Sequence, residues 1–195
     1  MKDTFRFLFR TAYPLVLICT LTVALITAVN AITAPQIQKN EQALFNDSVR
    51  ALFNLSKDQD LLTETIPLST VENPPEDTLA AYRVSQSGTF LGYCIEVKGR
   101  GAYGKDLRVL AAFDEVGTLC NLVCLSHSET PGKGDLILSE SFYQQHYLGK
   151  NTNELSAAPL PTLSGSTKTS TALYNAVQVA TAFYEALIEA KGGTL

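Results

Sequence analysis

The chain has 195 residues, 46% hydrophobic and only 17% charged, with a formal net charge of −4. That length holds one ordinary domain with a segment to spare, and the acidic balance argues against a nucleic-acid surface, which needs clustered cations. Nothing in the composition resembles a disordered, collagen-like or disulfide-rich chain.

The low charge fraction has a local origin. From Thr11 to Gln38 there is no charged side chain, and Thr11–Ala34 is 24 residues of mostly apolar or small type. A bilayer core about 30 Å thick needs about 20 helical residues, so this run is long enough to span it. Pro14 falls in the first turn of such a helix, where a missing N–H costs little, and Pro35 closes the apolar run. Lys2, Arg6 and Arg10 precede the run and the next cation is Lys39. This asymmetry predicts an N-terminus in the cytoplasm and residues 36–195 outside, at the cytoplasmic membrane. A cleaved signal peptide would share the basic start and the small residues near Ala28–Ala31, but the length of the run favours a retained anchor. Small-xxx-small pairs, Ala24–Ala28 and Thr27–Ala31, offer a packing face to another helix; a lipid-facing anchor is the plain alternative.

Beyond the anchor, Gln36–Asp58 has helical spacing of Leu44, Val49, Leu52 and Phe53 and is expected to continue as a stalk. Asp60–Asp77 holds Pro67, Pro74 and Pro75 and reads as irregular. Strands are expected at Ala80–Val84 and Thr89–Val97 around a Gln86-Ser87-Gly88 turn, and at Leu107–Phe113 and Leu119–Leu125. A helix is expected over Leu136–Tyr147, a loop over Ser156–Gly165, and a strong helix over Lys168–Ala190 that Gly192 and Gly193 stop. Strand pairs between helices, without β-α-β alternation, indicate an α+β domain of antiparallel strand pairs flanked by helices. The expected division is a cytoplasmic N-terminus at 1–10, a transmembrane helix at 11–34, a helical stalk at 35–60 and an extracytoplasmic domain at 61–195.

The four cysteines, Cys19, Cys94, Cys120 and Cys124, form no Cys-x-x-Cys pair. On one strand Cys120 and Cys124 lie about 13 Å apart, too far to bridge. With only two histidines, His127 and His146, no metal site is expected.

Two stretches carry chemistry. The first runs from His127 through Glu129-Thr130-Pro131-Gly132-Lys133-Gly134, directly after a strand. Its glycines allow close backbone approach to a bulky group, though an ordinary polar turn reads the same way. His127 and Glu129 make only a weak acid–base candidate, with no third partner in view. The second is Ser164-Gly165-Ser166-Thr167-Lys168, at the start of the last helix. Free N–H groups and the dipole favour an anion there, and Lys168 adds charge; simple capping by Ser or Thr is the bland alternative. The chain has no phosphate-binding Walker loop and no dinucleotide glycine fingerprint.

Taken together, these features resemble the FMN-binding domain family, and within it the G subunits of Rnf-type electron-transport complexes. The chain is similar, more distantly, to the C subunits of sodium-pumping NADH:quinone reductases. The resemblance rests on a single N-terminal anchor, the Gly99, Gly101, Tyr103 and Gly104 turn, the Glu129-Thr130-Pro131-Gly132-x-Gly134 turn and the Ser164-Gly165-Ser166-Thr167 segment, in that order. It implies FMN joined by a phosphoester to the threonine closing the last motif, Thr167, by a separate flavin transferase. Ser164, Gly165, Ser166 and Lys168 would shape the phosphate pocket, and Glu129, Thr130, Pro131, Gly132 and Gly134 would pack near the ring. The function implied is electron relay within an ion-translocating oxidoreductase complex, with its other subunits and the lipid bilayer as partners and no catalysis by this component on its own. Three positions depart from the family pattern: Ser166 replaces a usual alanine, Pro161 a frequent aspartate, and Lys133 a usual leucine. Thr169 and Ser170 are weaker alternatives to Thr167. Two other readings are a flavin-free binding or assembly module of the same fold and a stand-alone extracytoplasmic flavin reductase.

Overall fold

The computed structural model describes residues 2–53, 55–56 and 60–192. They form two compact units, Met1–Asn46 and Asp47–Leu195.

The first unit is helical. Helix α1 (Lys2–Leu52) passes through both Pro14 and Pro35, so the apolar run and the following polar stretch share one continuous helix that crosses the unit boundary. Within it, Ala12–Gln36 has a mean hydropathy of 2.4 and is long and apolar enough to cross a membrane. Val16, Ile18, Leu21, Val23, Leu25, Ile26 and Ile32 are all more than half exposed, so this apolar surface is not covered by protein. The threonine hydroxyls are satisfied internally. Thr20, Thr22, Thr27 and Thr33 donate to the carbonyls of Val16, Ile18, Val23 and Val29 at 2.8–2.9 Å. Four-back bonding of this kind is what an apolar solvent demands of a polar side chain on a helix. The helix ends at Leu52, and Asp58, the expected end of the stalk, lies outside the described residues.

The second unit is built on a five-stranded antiparallel meander in the order β1 (Leu61–Ile66), β2 (Thr78–Gln86), β3 (Thr89–Gly99), β4 (Leu107–Phe113) and β5 (Leu119–Ser126). The expected strands β2 to β5 are all present. The β2–β3 hairpin turns at Ser87 and Gly88, both with positive φ, as a tight two-residue turn that follows strand twist requires. Strand β1 corrects the expectation of irregular chain before the prolines. Leu61–Ile66 pairs residue for residue with β2, from Leu61 opposite Gln86 to Ile66 opposite Ala81, and Pro67 follows it directly.

Helix α5 (Thr167–Ala190) packs on one face of the sheet. Its Ala172, Leu173, Ala176, Val177, Ala180, Phe183, Tyr184 and Leu187 are buried with Ile95, Val97, Val109, Ala111 and Phe113. The alanines at four-residue spacing let the helix approach closely. A Cβ added to Gly99 would stand 2.6 Å from the Ala172 carbonyl oxygen. The Tyr184 ring stacks on Phe113 at 5.0 Å, and its hydroxyl donates to the Asp114 carbonyl at 3.2 Å. The other face buries Cys94, Leu110 and Ala112, with the Glu96 carboxylate held by the Arg108 guanidinium.

The region between β5 and α5 is more broken than expected. The single helix expected at Leu136–Tyr147 is two, α2 (Gly134–Ile137) and α3 (Glu140–His146). Ser139 divides them: its hydroxyl donates to the Leu136 carbonyl at 2.6 Å and accepts from the Phe142 N–H at 3.4 Å, restarting the helix as an N-cap. A further short helix, α4 (Thr152–Ser156), opens with a capping box between Asn151 and Glu154. Gly192 follows α5 with φ +73, while Gly193 lies outside the described residues.

Candidate functional site

The two chemical stretches, well separated in sequence, line one cavity of about 420 Å³. Its walls are Tyr103, Glu129, Thr130, Lys133 and Gly134 from one side and Gly165, Ser166, Thr167, Lys168 and Thr169 from the other. Pro131, Gly132 and Ser164, also expected at the site, are exposed and do not line it.

The α5 side is an open helix start. Ser166 is the N-cap residue, but its side chain makes no capping bond, so the capping expected of a serine here is absent. The turn before it is closed through the backbone, with Gly165 at φ +83 and the Ser166 N–H donating to the Leu163 carbonyl at 3.0 Å. The Tyr174 hydroxyl and the Gln178 amide hold the carbonyls of Ala158 and Leu155, tying the incoming chain to α5. An uncapped N-terminus leaves N–H groups and the positive end of the dipole available to an anion. The three hydroxyl candidates differ in access. Thr167 is exposed, Thr169 is 2% exposed, and Ser170 is fully buried with its hydroxyl donating to the Ser166 carbonyl.

The opposite wall turns on Glu129. Its Oε1 accepts the Tyr103 N–H at 2.9 Å. Its Oε2 lies over Gly134, where an added Cβ would overlap that oxygen and stand 2.9 Å from the Thr169 Oγ1. The carboxylate thus ties the β3–β4 loop to the turn after β5, and Gly134 leaves room for it beside the first turn of α5. His127 is not its acid–base partner: His127 Nδ1 accepts the Glu129 backbone N–H at 3.3 Å, and its side chain lines a separate cavity. Lys133 and Lys168 are exposed, line the site and enter no ion pair among the described residues, so two cations face a cavity in an acidic chain. In the sequence Tyr103 stands out only as part of a glycine-rich turn; its place in the wall follows from the course of the loop between β3 and β4.

The thiols offer no competing chemistry. All four cysteines are free, and burial pushes the Cys124 thiol up to about 11, far from a reactive thiolate. No cluster of metal-ligating side chains occurs among the described residues.

Gly134→Ala is expected to keep the fold but expel the Glu129 carboxylate, because the atoms in the way are side-chain ends rather than backbone. A loss of about 1–3 kcal/mol in thermal or denaturant unfolding is expected. It should be accompanied by a shifted Tyr103 amide resonance; an unmoved resonance would show that Glu129 does not hold that loop.

Residues 102–182 match the FMN-binding domain family. That span takes in both walls of the cavity and most of α5. Likenesses to individual proteins extend beyond it. The chain is 27% identical over 135 residues to the G subunit of an ion-translocating oxidoreductase complex of Vibrio vulnificus, covering 68% of this chain and 64% of that protein. It is 24% identical over 140 residues to the G subunit of the Na(+)-translocating ferredoxin:NAD(+) oxidoreductase complex of Acetobacterium woodii, covering 64% and 68%. It is 28% identical over 131 residues to the proton-translocating counterpart of Clostridium ljungdahlii, covering 67% and 63%. The chain therefore spans just under two thirds of the Vibrio and Clostridium proteins. The resemblance carried by the motifs is borne out, as is the α+β fold.

Proposed function

We propose that this chain is the membrane-anchored, FMN-carrying subunit of an ion-translocating oxidoreductase complex of the Rnf type, with FMN attached through its phosphate to the Thr167 hydroxyl. The observation that carries the reading is the meeting, at one cavity, of an exposed threonine on an uncapped helix start, the glycine turn and two lysines outside any ion pair among the described residues.

The residues suit that group. A phosphate ester at Thr167 would lie against the free N–H groups of the first α5 turn, with Lys168 beside it. Gly165 and Gly134 keep the walls free of side chains. Lys133 would favour negative charge on a ligand further along the cavity. FMN, when bound, supplies one- and two-electron chemistry; the protein holds it and limits its contact with water. Covalent attachment suits a site where free cofactor would be scarce and readily lost.

The apolar span of α1 would anchor the chain, with the basic N-terminal residues in the cytoplasm and the FMN-binding domain on the far side. Electrons must arrive from and leave to other redox centres, so the partners are the other subunits of the complex, with a flavin transferase needed for maturation. The relatives are named for sodium and for proton translocation alike, so they do not choose the coupling ion.

The test is the intact mass of the full chain co-expressed with a flavin transferase. A gain of one FMN less one water supports the reading. No gain, with the transferase active on another substrate, overturns it and leaves a flavin-free binding module of the same fold.

A further inference from the structure

Tyr103 is 62% exposed and lines the cavity that Thr167 shares. Its ring has no aromatic neighbour and its hydroxyl no hydrogen bond among the described residues. The tyrosines of the core behave otherwise: Tyr93, Tyr143, Tyr147 and Tyr184 are all buried. A single exposed aromatic is unremarkable on a loose loop. This loop is tied down on both sides of the ring. Arg100 Nε donates to Asp77 at 2.6 Å, the Gly101 N–H donates to Asp106 at 3.2 Å, and the Tyr103 N–H donates to Glu129 at 2.9 Å. Gly104 packs against Ser128, which a Cβ would approach to 3.4 Å. The backbone is therefore fixed while the ring has no aromatic or hydrogen-bonding partner among the described residues.

We propose that Tyr103 is the residue that stacks on the planar ring system of the cofactor, and that Glu129 is the positioning residue that holds it there. The inference rests on the FMN reading above. A flat aromatic ring is the surface that an isoalloxazine matches, and aromatic pairs favour offset or edge contacts over exposure to water. Glu129 acts through the Tyr103 backbone, so its role requires only an acceptor oxygen at that position, not a charge.

The test uses the full chain co-expressed with a flavin transferase, as wild type, Tyr103→Leu, Tyr103→Phe, Glu129→Ala and Glu129→Gln. Intact mass first gives the loading of each. Flavin fluorescence and visible circular dichroism are then compared per attached flavin. Tyr103→Leu is expected to raise fluorescence severalfold, because a stacked phenol quenches the excited flavin, and to lose the wild-type dichroism. Tyr103→Phe should raise fluorescence but keep the dichroism, since the stack remains without the donor. Glu129→Ala should follow Tyr103→Leu, and Glu129→Gln should restore the wild-type signature. Equal spectra for wild type and Tyr103→Leu at equal loading overturn the proposal while leaving the FMN reading intact. No mass gain in the wild type overturns the FMN reading itself. Tyr103 is exposed, so its variants are expected to fold.

Discussion

Thr167→Ala is expected to abolish the FMN mass gain while leaving the fold unchanged. Thr167 is exposed at the first position of α5, and the helix start there has no side-chain cap to lose. Alanine is well tolerated in a helix, so stability should stay within about 0.5 kcal/mol. Ser170→Ala is the control. That hydroxyl is fully buried and bonded to the Ser166 carbonyl, out of reach of a transferase, so its loss should leave the mass gain in place. Retained mass in Thr167→Ala, with peptide mapping placing it at Thr169 or Ser170, would move the attachment point. Retention without any modified residue in α5 would remove the helix-start argument altogether.

Gly92→Ala is expected to give the largest stability loss. Gly92 has φ +154, and an added Cβ would collide with the Phe113 carbonyl oxygen and stand 3.0 Å from its carbon. Both are backbone atoms of the adjacent strand, so no side-chain rotation relieves the contact. The site lies beside a register shift between Val84 and Ser85 in the β2–β3 ladder. Strain and overpacking together should cost about 3–5 kcal/mol. For a domain of this size that lowers the melting temperature by about 10–20 °C. A melting temperature within a few degrees of wild type would show that β3 and β4 separate more easily than their packing implies. Gly134→Ala differs because the obstructing atoms there are the ends of side chains, so the cost falls on the site rather than on the sheet.

Much of this architecture was legible in the sequence because its signals are local. The uncharged run of α1, the short apolar runs of β2 to β5 bounded by turn residues and the apolar stripe of α5 can each be read within a short window. The two chemical motifs were legible for the same reason. The differences also have local causes. Leu61–Ile66 is short, with apolar residues only at its ends and no clean alternation, and Pro67, Pro74 and Pro75 beyond it make the stretch read as irregular. Asn151-x-x-Glu154 is a helix-start pattern, yet the helix it opens ends at Ser156, too short to show a period. Ser139 breaks one expected helix into two by competing for backbone hydrogen bonds.

By itself the sequence determined the types of the long elements, α1, β2 to β5 and α5, the apolar span and the residue kinds available for chemistry. Only the tertiary structure decided which of them meet. Tyr103, Glu129 and Thr167 share a cavity because the β3–β4 loop, the end of β5 and the start of α5 come to one side of the sheet. Glu129 bonds a backbone N–H 26 residues away, a contact no spacing pattern encodes. The choice among Thr167, Thr169 and Ser170 is likewise one of burial, set by how α5 seats against β3 and β4. Such contacts depend on long-range packing, and chain order alone does not specify them.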